Sequence, residues 1–279
     1  MKLKYYGTAA AEGFPALFCD CETCNRARKA GGRNLRKRSH ACVDGKILLD
    51  FGPDTYSSYL YDGLDLPNIK NCLITHSHED HFCISPIPAK TSHYAHGDIE
   101  PLMFYMTKTA AEDERYNIGK TIRAPHIAKE NVLGLTEIEP FAPFEVEGYK
   151  VTAYVADHDK LSGAVFYSLE KDGKGLLYAN DTGAFPASTW KYLEENKPFF
   201  NVVSLDCCNG VLTYKSSHMG LNGCSEVKEK LIEIGCADEN TVFILHHFSH
   251  NCRVTYDEIV PLAKELGFEV AFDTMEIEF

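Results

Sequence analysis

The chain has 279 residues, of which 44% are hydrophobic and 24% are charged. This composition can bury a large core, and we expect a single globular, enzyme-sized domain over residues 1–279. The formal net charge of −12 disfavours an extended nucleic-acid partner, because non-specific binding to phosphate backbones needs a basic surface. The N-terminus lacks the apolar core of a signal peptide, and no apolar run has the length of a membrane span, so we expect a soluble, cytoplasmic protein without a membrane partner.

Apolar stretches of strand length recur from the first residues onward. Residues 2–6 form the first predicted strand, and Asp44-Gly45 between two apolar runs, 41–43 and 47–49, is typical of a hairpin. Further strands are predicted at residues 71–75, 149–156, 164–169, 175–179, 201–205, 242–245 and 268–272. The chain therefore carries strands along most of its length.

Helical periodicity appears between these strands. The predicted helices cover residues 53–60, 107–116, 186–193, 226–234 and 256–266. Because strands and helices interleave, the expected class is α/β. A second hairpin, turning at residues 171–174, requires antiparallel or mixed pairing and excludes a purely parallel doubly wound sheet. Residues 93–139 are the least readable stretch of the chain and could be an insertion.

Eleven cysteines are present, and in a chain with no export signal a disulfide framework is not expected. Three of them crowd together as Cys19-x-Cys21-x-x-Cys24, while most of the scattered ones are expected to be small buried hydrophobes. Three thiolates are one short of the four ligands that a closed structural zinc site prefers. His250 can supply the fourth, and three unrelated buried thiols are the alternative.

Three histidines and an aspartate follow the predicted strand at 71–75, as His76-x-His78-x-Asp80-His81. A strand end is where α/β enzymes usually hold their chemistry. A spacing of two puts His76 and His78 on one side of an extended chain, and a turn after them would direct the other two side chains to a second ion. These ligands suit zinc, manganese or iron. Alternatively, one or two of the histidines are ordinary core or surface residues.

The motifs along nearly the whole chain resemble, in their order, the metallo-β-lactamase superfamily. The resemblance implies an αββα sandwich, two mixed sheets flanked by helices (α/β, or α+β in some schemes), and a hydrolase with two divalent metal ions. It implies seven ligands: His76, His78 and His158 on one ion, Asp80, His81 and His247 on the other, and Asp181 bridging them. Asp50, before Phe51-Gly52, would orient the metal-binding loop, and Asp80 would also orient the attacking hydroxide. His246 is a rival for the position of His247.

Asp206 and His218 resemble a pair in the phosphodiesterase branch of that superfamily, which includes tRNA 3′-processing endonucleases and the cyclic phosphate phosphodiesterases of phosphonate degradation. The resemblance implies that His218 contacts the phosphate or protonates the leaving oxygen, and that Asp206 orients it. His218 as a helix-capping loop residue is the alternative. The zinc site of Cys19, Cys21, Cys24 and His250 also resembles the cyclic phosphate enzymes, and the resemblance suggests a homodimer.

The leading hypothesis is a phosphodiesterase that hydrolyses a small phosphodiester, with a ribose cyclic phosphate as a candidate, by metal-hydroxide attack. An RNA-end-processing nuclease of the same branch, a thioester or lactone hydrolase, and a non-catalytic metal-binding protein are the alternatives. The basic run at residues 26–38 is open to two interpretations. It is either a set of salt-bridge partners or a cationic rim that attracts a phosphorylated substrate.

Overall fold

A computed structural model describes residues 1–122 and 130–279, and it forms a sandwich of two sheets with helices on both outer faces. In this part of the chain, the first sheet has the order β14-β1-β2-β3-β4-β5-β6. Its strands are β1 (Lys2–Gly7), β2 (His40–Val43), β3 (Ile47–Leu49), β4 (Asn71–Leu73), β5 (Leu102–Thr107), β6 (Leu133–Ile138) and β14 (Glu276–Glu278).

The second sheet has the order β13-β12-β11-β10-β9-β8-β7. Its strands are β7 (Phe144–Val146), β8 (Tyr149–Val155), β9 (Val165–Lys171), β10 (Lys174–Ala179), β11 (Val202–Asp206), β12 (Val242–His246) and β13 (Glu269–Val270). Each sheet is mixed: β3 to β6 and β10 to β13 pair in parallel, whereas β14-β1-β2-β3 and β7-β8-β9-β10 pair antiparallel. Two seven-stranded mixed sheets confirm the predicted class and the αββα sandwich.

The helices lie outside the sheets as α1 (Glu22–Ala30), α2 (Thr55–Tyr61), α3 (Lys108–Asp113), α4 (Arg115–Ile122), α5 (Ala187–Asn196), α6 (Leu221–Glu233) and α7 (Tyr256–Glu265). Apolar side chains form three layers. The central layer joins the sheets, with Leu73 of β4 and Tyr167 of β9 among its members. One outer layer packs helices such as α6 on the second sheet, and the other packs α3 on the first.

Local signals predicted the hairpins well. Asp44-Gly45 and Asp172-Gly173 both adopt the left-handed backbone that a two-residue hairpin turn requires. Some bounds differ from prediction. The helix predicted at 107–116 begins after the cap Thr107 and divides at Glu114 into α3 and α4, and the strand predicted at 268–272 is reduced to β13.

Residues 93–139 hold two strands that the sequence pattern did not reveal, β5 and β6 of the first sheet. The same stretch contains α3 and α4, which replace the predicted helix at 107–116, and residues 123–129 lie outside the described part. Elsewhere α1, β7 and β14 were also not predicted. Across residues 1–122 and 130–279, none of the helices combines the length and apolar character needed to cross a membrane.

Candidate active site

The predicted site residues converge at the carboxyl ends of the strands. The motif at 76–81 follows β4, and Asp50 follows the neighbouring parallel strand β3. In the second sheet, Asp181 follows β10, Asp206 ends β11 and His247 follows β12. Neighbouring parallel strands end at one edge of their sheet, so side chains distant in sequence meet there.

Three histidines form the first cluster. His76 Nε2 lies 3.0 Å from His78 Nδ1, and His158 Nε2 lies 3.4 Å from the same atom. The three rings are mutually tilted, with centroids 4.5–5.2 Å apart. Burial is the largest influence on His76 and holds its pKa well below the ordinary value. A neutral imidazole is the form that ligates a metal.

The second cluster surrounds Asp181. One of its carboxylate oxygens lies 2.6 Å from His81 Nε2, and the other lies 2.7 Å from His247 Nε2. Asp80 approaches His81 Nε2 at 2.9 Å. Burial disfavours the ionised form of Asp181, but His247 and His81 outweigh it and hold the pKa well below its usual range. Asp181 thus faces both remaining histidines of the predicted set with an ionised carboxylate.

The second nitrogen of each imidazole is held in place. Nδ1 of His81 contacts Asp50 at 2.7 Å, and Nδ1 of His247 contacts Ser39 Oγ at 2.9 Å. The same pattern extends over the first cluster, where Nδ1 of His76 meets Thr75 Oγ1, Nδ1 of His158 meets the Ser217 carbonyl and Nε2 of His78 meets Asp159. Partners of this kind fix the ring orientation and leave the other nitrogen for a ligand.

The backbone is constrained at three of these positions. Asp50 has φ 66°, Asp181 has φ 45° and His247 has φ 61°. The left-handed region is unfavourable for residues other than glycine, and such residues concentrate at functional sites. In each case the residue directly follows a strand or lies one position beyond it, so the turn aims its side chain across the strand ends.

His218 stands beside both clusters. Its Nδ1 lies 2.6 Å from Asp206 Oδ2 and 3.6 Å from Asp181, and its ring centroid lies 5.0 Å from that of His158 and 5.5 Å from that of His247. Burial lowers the pKa of His218, but the charge and hydrogen bond of Asp206 outweigh burial and raise it to about 9. A quarter of the side chain is exposed, so the imidazole remains reachable from solvent.

A separate cluster contains Cys19, Cys21, Cys24 and His250, whose potential ligand atoms all lie within 4.8 Å of one another. Cys19 Sγ and Cys21 Sγ are each 3.5 Å from His250 Nδ1. The contact with His250 lowers the pKa of Cys21 to about 6, whereas burial raises that of Cys24 to about 12. The cluster joins the start of α1 to the turn that carries His247.

Comparison with known proteins places the chain in a family. Residues 46–248 match the profile of the β-lactamase superfamily domain. The chain belongs to the β-lactamase superfamily. Its metallo-β-lactamase fold is that of metal-dependent hydrolases and implies divalent metal ions. The chain is therefore a metal-dependent hydrolase. The predictions of the superfamily and of an enzyme are both confirmed.

The individual proteins that this chain resembles are only distantly similar to it in sequence. A diphosphatase of the PhnP family is 18% identical, with a TM-score of 0.74 over 100% of this chain and 98% of the other. Zinc-bound PqqB from Methylobacterium extorquens is also 18% identical, with a TM-score of 0.75 over 100% of both chains. The endoribonuclease YSH1 of Yarrowia lipolytica is 28% identical over 181 residues, which are 58% of this chain but only 21% of that protein. The chain thus matches about a fifth of the endoribonuclease's length.

The residues present fit divalent metal ions. His81 Nε2 and Asp181 Oδ2 are buried 2.6 Å apart, yet neither atom makes a hydrogen bond. Buried polar atoms without a partner are costly, and a cation between ligands of this kind would satisfy both. Imidazole nitrogens and carboxylate oxygens are ligands for zinc, manganese and iron.

The structure also separates the two adjacent histidines at the end of β12. His246 is buried below the site, where its Nδ1 meets Ser204 Oγ at 3.0 Å, while His247 faces Asp181. Sequence reasoning missed Ser39, Asp159 and Glu12, which contact histidines of the site. For Asp159, its position next to His158 was an available signal, whereas the other two lie more than 200 residues from their partners.

The basic side chains at 26–38 mostly form ion pairs with acidic side chains of the same chain. Arg26 pairs with Glu22 and Glu258, and Arg38 pairs with Asp54. Lys37 pairs with Asp62, and Arg36 is buried under the Phe248 ring, with its guanidinium 4.4 Å from the ring centroid. These contacts favour the salt-bridge interpretation over a cationic rim.

Proposed function

We propose that this chain is a binuclear phosphodiesterase that hydrolyses a small phosphodiester, with a ribose cyclic phosphate as the first candidate substrate. The observation that carries the proposal is the Asp206–His218 pair beside both clusters. An alkoxide is a poor leaving group and gains from a proton donor, whereas a thiolate leaves without one. An imidazolium at His218, held beside both clusters, therefore favours hydrolysis of a phosphodiester over hydrolysis of a thioester.

The seven residues His76, His78, Asp80, His81, His158, Asp181 and His247 would hold two divalent ions, zinc or manganese or iron. When bound, such ions supply Lewis acidity and lower the pKa of water toward about 7. Asp50 keeps His81 in a fixed orientation through the 2.7 Å contact, and Asp80, 2.9 Å from His81 Nε2, would orient the attacking water.

His218 acts as the proton donor in this proposal. Asp206 holds Nδ1, so the proton to be donated resides on Nε2, which the partly exposed edge of the ring can present to the leaving oxygen. Asp206 also accepts the backbone N–H groups of Thr182 and Cys208, at 3.1 and 2.8 Å. These bonds fix the carboxylate relative to the two clusters.

We further propose one structural zinc on Cys19, Cys21, Cys24 and His250. The support is the tetrad of potential ligand atoms within 4.8 Å and the backbone N–H groups that point at two of the sulfurs, from Cys24 to Cys21 and from Ala16 to Cys24. The other ring nitrogen of His250 lies 3.8 Å from Glu12. A carboxylate behind a histidine ligand is a common arrangement at zinc sites.

The test compares substrates and leaving groups in protein reconstituted with manganese or zinc. We expect chelator-sensitive hydrolysis of an aryl phosphodiester and of a ribose cyclic phosphate, and no comparable hydrolysis of a thioester or a β-lactam. His218→Ala should retain its active-site metals and lose about 10²–10⁴-fold with an alkyl leaving group, but much less with a nitrophenyl leaving group, which departs without a proton.

His96→Ala is the matched control, because His96 is exposed and lies outside both clusters. An equal loss for both leaving groups in His218→Ala would contradict the acid role. Faster hydrolysis of the thioester or lactam would contradict the phosphodiesterase proposal itself.

A nuclease acting on RNA ends is the second candidate, supported by the similarity to the endoribonuclease of Yarrowia lipolytica. The net charge of −12 opposes it, because RNA binding relies on basic surface. A short single-stranded RNA and a ribose cyclic phosphate, assayed side by side, separate the two candidates through their kcat/KM values.

A further inference from the structure

Cys208 lies at the edge of the candidate active site, two residues beyond Asp206. Its sulfur, one nitrogen of His218 and one nitrogen of His247 all lie within 4.8 Å of one another. The backbone N–H of Cys208 donates to Asp206 Oδ1 at 2.8 Å, so the carboxylate that orients His218 also positions the thiol. None of the functions proposed above uses this thiol.

The same two histidines therefore belong to two alternative ligand sets. With Asp181 and Asp206 they form a set of carboxylates and imidazoles, also within 4.8 Å. With Cys208 they form a softer set of one sulfur and two nitrogens. Manganese prefers oxygen-rich sites, whereas zinc binds thiolate and imidazole well. The two sets should consequently distinguish the two metals.

Each imidazole has one nitrogen to offer. Asp206 engages Nδ1 of His218, and Ser39 engages Nδ1 of His247, so Nε2 is the ligand atom that remains on both rings. His247 Nε2 faces Asp181 at 2.7 Å. It can therefore serve the carboxylate set or the thiol set, but not both at once.

We infer that Cys208, His218 and His247 form an inhibitory site selective for zinc over manganese. The inference rests on the proposed function, because inhibition follows from capture of the proton donor His218. On binding, the Cys208 thiol and Nε2 of the His218 imidazolium each lose a proton to solvent, a sulfur–zinc bond and a nitrogen–zinc bond form, and the zinc occupies the His218 nitrogen that would otherwise carry the donated proton. Donors around tetrahedral zinc lie about 3.3–3.6 Å apart, so modest side-chain rotation closes the site.

The first experiment titrates zinc into the manganese-loaded protein during phosphodiester hydrolysis. Turnover should fall with rising free zinc, and Cys208→Ser should raise the zinc concentration for half inhibition at least about tenfold, as expected for loss of a ligand. Cys236→Ser is the control, because this buried thiol faces the Leu193 carbonyl outside the site. Equal zinc sensitivity of the parent and Cys208→Ser proteins would overturn the inference.

A second measurement does not depend on turnover. In cobalt-substituted protein, thiolate ligands give a near-ultraviolet charge-transfer band. Because cobalt in the thiol set takes Nε2 of His247 from the carboxylate set, a parent protein with the thiol set filled carries four thiolates, Cys208 and the three of the proposed structural site. Cys208→Ser or Cys208→Ala should then lose about a quarter of the band. An unchanged band in a folded variant would overturn the site. A reduced band in a protein without phosphodiesterase activity would support the metal site while refuting the proposed function.

Discussion

Replacement of Asp206 by asparagine should change the pH dependence of the reaction more than its maximum rate. The amide keeps the volume of the side chain and one acceptor oxygen, but it removes the negative charge 2.6 Å from His218 Nδ1. That charge is what outweighs burial and raises the pKa of His218 to about 9. Without it, the pKa of His218 should return to its ordinary value of 6.5 or fall below it.

The size of the effect follows from this shift. A change from about 9 to 6.5 is about 3 kcal/mol in favour of the neutral imidazole. A proton donor works in its protonated form, so the rate falls as pH rises through the pKa. At pH 8 the protonated fraction drops from about nine-tenths to about 3%, a loss of about 30-fold, whereas at pH 6 it drops only from nearly all to about three-quarters, a loss of about 1.3-fold.

Two measurements check the prediction. NMR titration of the metal-free protein should place the His218 pKa in Asp206→Asn at least about two units below that of the parent. The pH–rate profile of the metal-loaded enzyme, with an alkyl leaving group, should show its descending limb displaced in the same direction. Asp172→Asn, in an exposed hairpin turn, is the control. A loss of rate that is equal at all pH values would refute the electrostatic role of Asp206.

Three further predictions concern metal content and stability. Cys21→Ser should bind about one metal ion fewer per chain and melt at a lower temperature, measured by elemental analysis and calorimetry; unchanged metal content would exclude a site there. Gly52→Ala should lose about 3 kcal/mol of unfolding free energy in urea, because its Cβ would lie 2.1 Å from the Asp80 carbonyl oxygen. Gly134→Ala is the control and should lose less, because its Cβ would meet only the flexible Met103 side chain. Burial lowers the pKa of His40 to about 4, so the parent should lose up to about 3 kcal/mol of unfolding free energy as pH falls from 6.5 to 4. His40→Gln should show a smaller dependence of unfolding free energy on pH in this range, and an equal dependence in both proteins would contradict the prediction.

The sequence predicted those elements whose signal is local. β3 and β4 have three residues each, yet the apolar runs at 47–49 and 72–74 are characteristic of strands buried on both faces. β14 could not be predicted, because its sequence Glu-Ile-Glu is stabilised by partners far away in the chain. It pairs with β1, and Glu276 lies 3.1 Å from Lys4.

α1 was missed for a related reason. Its sequence is strongly polar, and its support comes from Cys21, which caps the first turn, and from Arg26, which bonds both Glu22 within the helix and Glu258 of α7. Long-range contacts of this kind leave no periodic pattern in the sequence. The unpredicted strands β5 and β6 complete one edge of the first sheet through pairing that only the folded chain reveals.

The residues of the candidate site also divide into those that a local sequence pattern identifies and those that only long-range contacts bring into place. The motif at 76–81 is compact enough to identify from spacing alone, and the order of the remaining residues required the family resemblance. The partners that orient the rings were not predictable, since Ser39 and His247 are separated by 208 positions. Cys208 was expected to be a buried hydrophobe, and its position beside two histidines depends on how β11 and β12 end next to each other.

The left-handed backbone at Asp50, Asp181 and His247 has a consequence for the supply of metal in the cell. Each such residue costs about 1–3 kcal/mol, and a domain of ordinary stability has only about 5–15 kcal/mol in total. Metal ions that bind only the folded chain offset that cost by mass action. Metal scarcity should therefore reduce the amount of folded protein in a cell, through proteolysis of the destabilised apo form, as well as the activity of each molecule.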